Sequence, residues 1–116
     1  MTGFRTKKLH EKYIKHLKNN KVVGCPLCKR EAIKAFKYWK IIKNNFPYDK
    51  IAKEHHMIVP LQHITEDSLN MKEIDELKRI KKSYIKDNNY NYIMEGTIHS
   101  QSQPEHFHLH LIKLKP

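Results

Sequence analysis

A chain of 116 residues has room for one compact domain with a single core, and its 39% apolar and 30% charged residues keep it in the globular range. No apolar run approaches the length that crosses a membrane, and Met1-Thr2-Gly3-Phe4-Arg5-Thr6-Lys7-Lys8 leads into a charged amphipathic stretch instead of a secretory apolar region, so the expectation is a cytoplasmic protein. The net charge of +11 fits a polyanionic partner, but it is nearly all lysine in a chain also rich in asparagine and isoleucine, a composition that an AT-rich genome produces by itself.

Phe4, Leu9, Tyr13, Ile14 and Leu17 recur at helical spacing, which predicts an amphipathic helix over 4–19. Residues 1–20 are accordingly set apart as an N-terminal helix or arm, ahead of a domain spanning 21–116. Gly24 and the turn Cys25-Pro26-Leu27-Cys28 end that section. A short helix over 29–36 is expected next, then a strand over 37–43 and a turn at Asn44-Asn45-Phe46-Pro47-Tyr48. His56-Met57-Ile58-Val59-Pro60 reads as a short buried strand. Over 70–86, Ile74, Leu77, Ile80 and Tyr84 mark the clearest helix, with Glu73 and Glu76 placed to pair with Lys81 and its neighbours. Tyr90–Glu95 is a further strand, and a polar loop over 96–104 follows. The order of helix, strand pair, helix, strand pair predicts an α+β fold with an antiparallel sheet.

Near the end of the sequence runs His106-Phe107-His108-Leu109-His110-Leu111-Ile112. Strict alternation predicts a strand that sends all three imidazoles to one face, about 6.5–7 Å apart. Phe107, Leu109 and Leu111 then point into a core and lock the register. Imidazole is a nucleophile, an acid–base group or a metal ligand near neutral pH, so a row of three points to chemistry.

The two cysteines, Cys25 and Cys28, form a Cys-x-x-Cys pair. With no clear strand before it, the pair suits a metal knuckle better than a thioredoxin-like redox centre. Two thiolates leave a tetrahedral site half complete, and the residue types offer His55, His56, His63, His99 and His106 as further ligands. A zinc-finger nucleic-acid binder would need a histidine pair about a dozen residues after the second cysteine. The stretch 40–46 has no histidine.

The run from His106 to Ile112 resembles the His-φ-His-φ-His-φ-φ signature of the histidine triad (HIT) superfamily, where φ is apolar. Asn44-Asn45-Phe46-Pro47, then His55, then Met57-Ile58-Val59-Pro60-Leu61-Gln62-His63 resembles the same family's upstream pattern, so the likeness covers about residues 25–114. It implies a HIT-like fold, a five-stranded antiparallel sheet with two or more helices, usually assembled as a homodimer. It also implies a nucleotide hydrolase or nucleotidyl transferase that attacks the α-phosphate of a nucleoside polyphosphate or phosphoramidate. By the resemblance His108 is the nucleophile, and a backbone carbonyl sets the proton on its other ring nitrogen. His110 and His55 contact phosphate oxygens or the leaving group, and Asn44 with Asn45 binds the ribose end of the nucleotide. Ser102 resembles a family serine that assists the leaving group, offset here by one extra residue.

Zinc-containing members, of the Hint and diadenosine polyphosphate hydrolase kind, imply a structural Zn2+ site at Cys25, Cys28, His63 and His106. The sequence departs from the family pattern in a longer step from Pro47 to His55 and in Glu54, which stands where the family has glycine. His55 and His56 are adjacent, and His55 keeps the usual step to Pro60. Residues 1–20 fall outside the resemblance, as a dimer helix or partner arm. Two other functions remain: an aprataxin-like deadenylase on adenylated nucleic-acid ends, which the basic charge suits but no separate nucleic-acid module supports, and a non-catalytic nucleotide-binding module.

Overall fold

The computed structural model describes residues 3–19, 25–101 and 104–116. Helix α1, Lys7–Asn19, starts beside Thr6, whose hydroxyl accepts the Leu9 N–H at 3.4 Å while its carbonyl accepts the His10 N–H at 2.9 Å. Strands β1 (Ala32–Ala35), β2 (Trp39–Lys43), β3 (Ala52–Pro60), β4 (Tyr92–Met94) and β5 (Leu109–Leu114) form one antiparallel sheet in the order β1-β2-β3-β5-β4. Helix α2, Met71–Ile80, runs on into a single π-helical stretch, Lys81–Ile85. The fold is α+β, with two helices against a five-stranded antiparallel sheet.

Alternation divides the sheet into two faces. On one, Trp39, Ile41, Ile58, Phe107, Leu109 and Leu111 pack with Leu77, Ile80 and Ile85 from the helical segment. On the other, Ile42, Met57 and Val59 pack against Leu27 from the cysteine turn. Met57 opposes His110 and Ile58 opposes Leu109 across β3 and β5, so the histidines share the face of Met57.

Four expectations need correction. The strand expected from His106 begins only at Leu109 and runs to Leu114, so His106 and His108 sit on the segment that leads into β5. Residues 29–36 hold no helix; β1 stands there, paired with β2. All four of its side chains are exposed, so backbone pairing and not an apolar stripe makes the strand. The strand expected over 56–60 begins four residues earlier, at Ala52, because β5 extends to Leu114 and pairs with it across an irregularity near Lys53. The glutamates of α2 do not serve Lys81. Glu73 is buried and closes a capping box with Asn70, each side chain accepting the other's backbone N–H at 2.9 Å. Glu76 is also buried, and its carboxylate accepts the Tyr38 N–H at 2.7 Å.

Candidate functional site

The cysteine turn is held from two sides. Leu27 plugs the apolar patch under it, and the Lys40 ammonium donates to the Cys28 and Arg30 carbonyls at 3.2 and 2.8 Å. This brings Cys25 and Cys28 up to His106, whose Nδ1 lies 3.3 Å from each sulfur. His63 Nδ1 lies 3.5 Å from Cys28 Sγ, and the four ligand atoms all fall within 4.8 Å of one another. In a tetrahedron with Zn–S and Zn–N bonds of the usual length, sulfur and nitrogen stand about 3.6 Å apart. The cluster is therefore preshaped for one metal ion with two sulfur and two nitrogen donors. His106 Nε2–H donates to the Pro60 carbonyl at 3.0 Å, which leaves Nδ1 with its lone pair facing the sulfurs. The other candidate ligands stay away from the cluster. His55 packs against His110, His56 meets the Tyr90 hydroxyl across the sheet, and His99 lines a cleft.

That cleft holds about 440 Å³. His108, His110, Met57, Asn44 and Asn45 form one wall, and α1 with the segment before it forms the opposite one. Arg5, Arg30, His10, His16, His99, His108 and His110 line it, with no carboxylate among the described lining residues. Phe46, Tyr13, Ile14 and Leu17 supply an apolar end.

Backbone groups decide which ring atoms carry protons. His108 Nδ1 sits 2.9 Å from the His106 carbonyl, which can only accept, so the proton is on Nδ1 and the neutral ring keeps a lone pair on Nε2. At His55 the order is reversed: the Tyr48 N–H donates to Nδ1 at 3.0 Å, which puts the His55 proton on Nε2. Of the two groups facing His55 Nε2, the Asn44 amide nitrogen at 3.3 Å can only donate, and His110 Nδ1 at 2.7 Å is the shorter contact and the acceptor, so neutral His110 carries its proton on Nε2. The Tyr48 hydroxyl lies 3.5 Å from the same atom. The histidine face thus offers a lone pair at His108 beside a donor at His110, with ring centroids 5.4 Å apart.

The other sequence candidates fall as follows. His55 does not line the cleft; it stands behind His110 and is 3% exposed, so it reaches a ligand only through His110. Asn44 is buried, and its Oδ1 accepts the Phe46 N–H at 2.8 Å, shaping the turn; Asn45 is exposed at the rim. Ser102 lies outside the described residues. Sequence reasoning gave no role to Tyr48 or Arg5, although both touch the cleft. The available signal was the scarcity of arginine: of three in the chain, Arg5 and Arg30 are both here.

No family model and no curated protein matches the chain. Solved structures do. A histidine triad protein from Clostridium difficile aligns over 84% of this chain and 95% of its own, at 17% identity and a TM-score of 0.58. HIT family hydrolases from Clostridium thermocellum and Legionella pneumophila each align over 78% of this chain, and over 90% and 92% of their own, at 20% identity and TM-scores of 0.57 and 0.55. The chain has the histidine triad fold. At these identities the likeness is one of fold; the roles of individual side chains rest on the geometry above.

Burial, the neighbouring His110 and the Arg5 charge push His55 down to about 3, and burial, His108 and Arg5 push His110 down to about 4. The unfolded chain takes up both protons near the ordinary value of about 6.5, and the folded chain only well below it. Between those limits the unfolded state binds more protons, so stability falls as pH falls. Thermal stability should decline from about pH 6.5 towards pH 4, less steeply in His110→Asn. Histidine ring NMR should find both imidazoles neutral at about pH 6; a His110 ring already half protonated there would contradict this assignment.

Proposed function

We propose that the protein is a nucleotide hydrolase or nucleotidyl transferase of the histidine triad type. The observation that carries this reading is the pairing of a His108 Nε2 lone pair with a His110 Nε2–H in a cleft that no carboxylate lines among the described residues. A phosphate ester anion fits such a cleft, and a neutral imidazole nitrogen is a competent nucleophile towards phosphorus.

In the proposed reaction the nucleoside enters with its base towards the apolar end. His108 Nε2 attacks the α-phosphorus, forming a P–N bond as the bond from phosphorus to the leaving group breaks. The His110 Nε2–H donates to a phosphoryl oxygen or to the departing atom, which offsets the charge that develops there. Water or another acceptor then attacks the same phosphorus, the P–N bond breaks and free His108 returns. His55 is the positioning residue that keeps His110 a donor. The His106 carbonyl does the same for His108 in the opposite sense.

We assign Zn2+ to the Cys25, Cys28, His63 and His106 cluster, because two thiolates and two imidazoles at tetrahedral spacing are a closed structural donor set. Such an ion would tie the cysteine turn to the segment that supplies the carbonyl facing His108. Cys25 and Cys28 form no disulfide, and a reduced pair able to hold a metal suits a reducing, cytoplasmic setting. We further propose a homodimer, supported by edge strand β4, which leaves one edge of the sheet open and whose Tyr92 and Ile93 are exposed on its two faces.

Turnover of a panel holding diadenosine polyphosphates, an adenosine phosphoramidate and adenylated DNA should fall by at least about 1,000-fold in His108→Ala, with the melting temperature nearly unchanged. Full activity in that variant would sink the mechanism. Elemental analysis should find one zinc per chain, and Cys28→Ser should lose it together with thermal stability; a metal-free wild type melting like the variant would remove the zinc assignment. Light scattering should give twice the chain mass, and a monomer at all concentrations would refute the dimer.

A further inference from the structure

The segment ahead of the family resemblance does not stand apart as an arm. The Thr6 N–H and hydroxyl donate to the two Asp49 carboxylate oxygens at 2.6 and 2.8 Å, and the Lys50 N–H donates to the Phe4 carbonyl at 2.9 Å. Burial pushes the Asp49 carboxyl up, but the Thr6 hydrogen bonds outweigh it and hold the group below its ordinary value. The ring of Tyr13 packs on Phe46, with centroids 5.2 Å apart, and that of Phe4 packs on Tyr48 at 5.3 Å. These contacts lay α1 across the cleft opposite His108 and His110.

Arg5 is fixed in this roof. Its Nε–H donates to the Phe46 carbonyl at 2.7 Å, and its guanidinium lies 4.4 Å from the Tyr13 ring centroid and 5.1 Å from that of Tyr48. This sets the plane of the fork without using its two terminal nitrogens, and neither has an acceptor among the described residues. The second arginine of the cleft, Arg30, already donates to the Lys43 carbonyl. Tyr48 connects Arg5 to the reacting end, since its hydroxyl is the group 3.5 Å from His110 Nε2. His10, on the same roof, has a buried Nδ1 with no partner among the described residues. A buried polar atom without a partner calls for an explanation, and beside a cleft a ligand is one.

We propose that residues 3–19 roof the nucleotide cleft and that Arg5 is a phosphate ligand there, binding phosphates beyond the one that His108 attacks. A planar guanidinium with its edge free pairs with two phosphate oxygens at once; no described residue lining the cleft brings a carboxylate to it, and nearby Asp49 is engaged by the Thr6 N–H and hydroxyl. The substrate class is therefore a nucleoside carrying a chain of phosphates, with His10 as a further donor. This rests on the nucleotide-cleft reading above.

The test is calorimetric binding of adenosine mono-, di- and triphosphate to the His108→Ala protein at fixed ionic strength, so that turnover does not intervene. Affinity should rise by about tenfold or more from mono- to triphosphate. Adding Arg5→Gln should shrink that gain to about threefold or less, and Arg5→Lys should restore only part of it. Lys8→Gln removes one charge from the exposed side of the same helix and should leave the gain intact. A gain that survives Arg5→Gln, or falls equally with Lys8→Gln, would overturn the Arg5 role while leaving the nucleotide reading standing. Absence of saturable binding by any of the three nucleotides would overturn both.

Discussion

Phe107, Leu109 and Leu111 hold the register on which the site depends. Their side chains fill the core under α2, and the two-residue repeat of the extended chain then leaves His106, His108 and His110 no choice of face. A slip of one residue would bury three imidazoles among Trp39, Ile41 and Ile58 and expose three large apolar groups. Each such group is worth about 1.5–3 kcal/mol of burial, so a slipped register lies far above the native one. The chemistry of one face is secured by the packing of the other.

Within that frame, main-chain groups settle the state of each ring. The His106 carbonyl makes His108 a bearer of a lone pair, and the Tyr48 amide, acting through His55, makes His110 a donor. Neither assignment needs a charged residue. Burial keeps the His55 and His110 rings neutral, where a row of cations would repel itself and destroy the nucleophile. Positive charge sits instead at Arg5 and Arg30 on the other parts of the cleft wall, where an anion can use it. His106 belongs to both sites: its ring joins Cys25, Cys28 and His63, and its carbonyl holds His108. Whatever steadies the cysteine turn also steadies the proposed nucleophile.

The fold places the roof through one short loop. Residues 44–50 supply the Phe46 carbonyl that orients Arg5, the Tyr48 amide that orients His55, and the Asp49 carboxylate that starts α1. The step between Pro47 and His55 carries Asp49 and Lys50, which hold Thr6 and Phe4, so this loop and the segment leading into α1 fix each other.

Much of this was legible in the residues. Alternation at 106–112 determined that the imidazoles share a face. The Cys25-Pro26-Leu27-Cys28 knuckle pointed to a metal site with five candidate histidines, and the resemblance to zinc-containing histidine triad proteins singled out His63 and His106, which the structure brings to the two cysteines. Helical periodicity located α2, and patterns of this kind are local, so a sequence displays them directly. Other features came only with the tertiary structure. β1 has no apolar stripe to announce it and exists because β2 offers an edge. Glu73 and Glu76 read as surface partners for lysine, yet their acceptors' work lies at the Asn70 cap and the Tyr38 amide, contacts that depend on how α2 meets the sheet. The ring protons of His108 and His110, the retreat of His55 behind His110, and the seat of Arg5 over the cleft were likewise out of reach. Each is set by a group distant in the chain or by an orientation that residue type does not encode, and packing alone decides which of them meet.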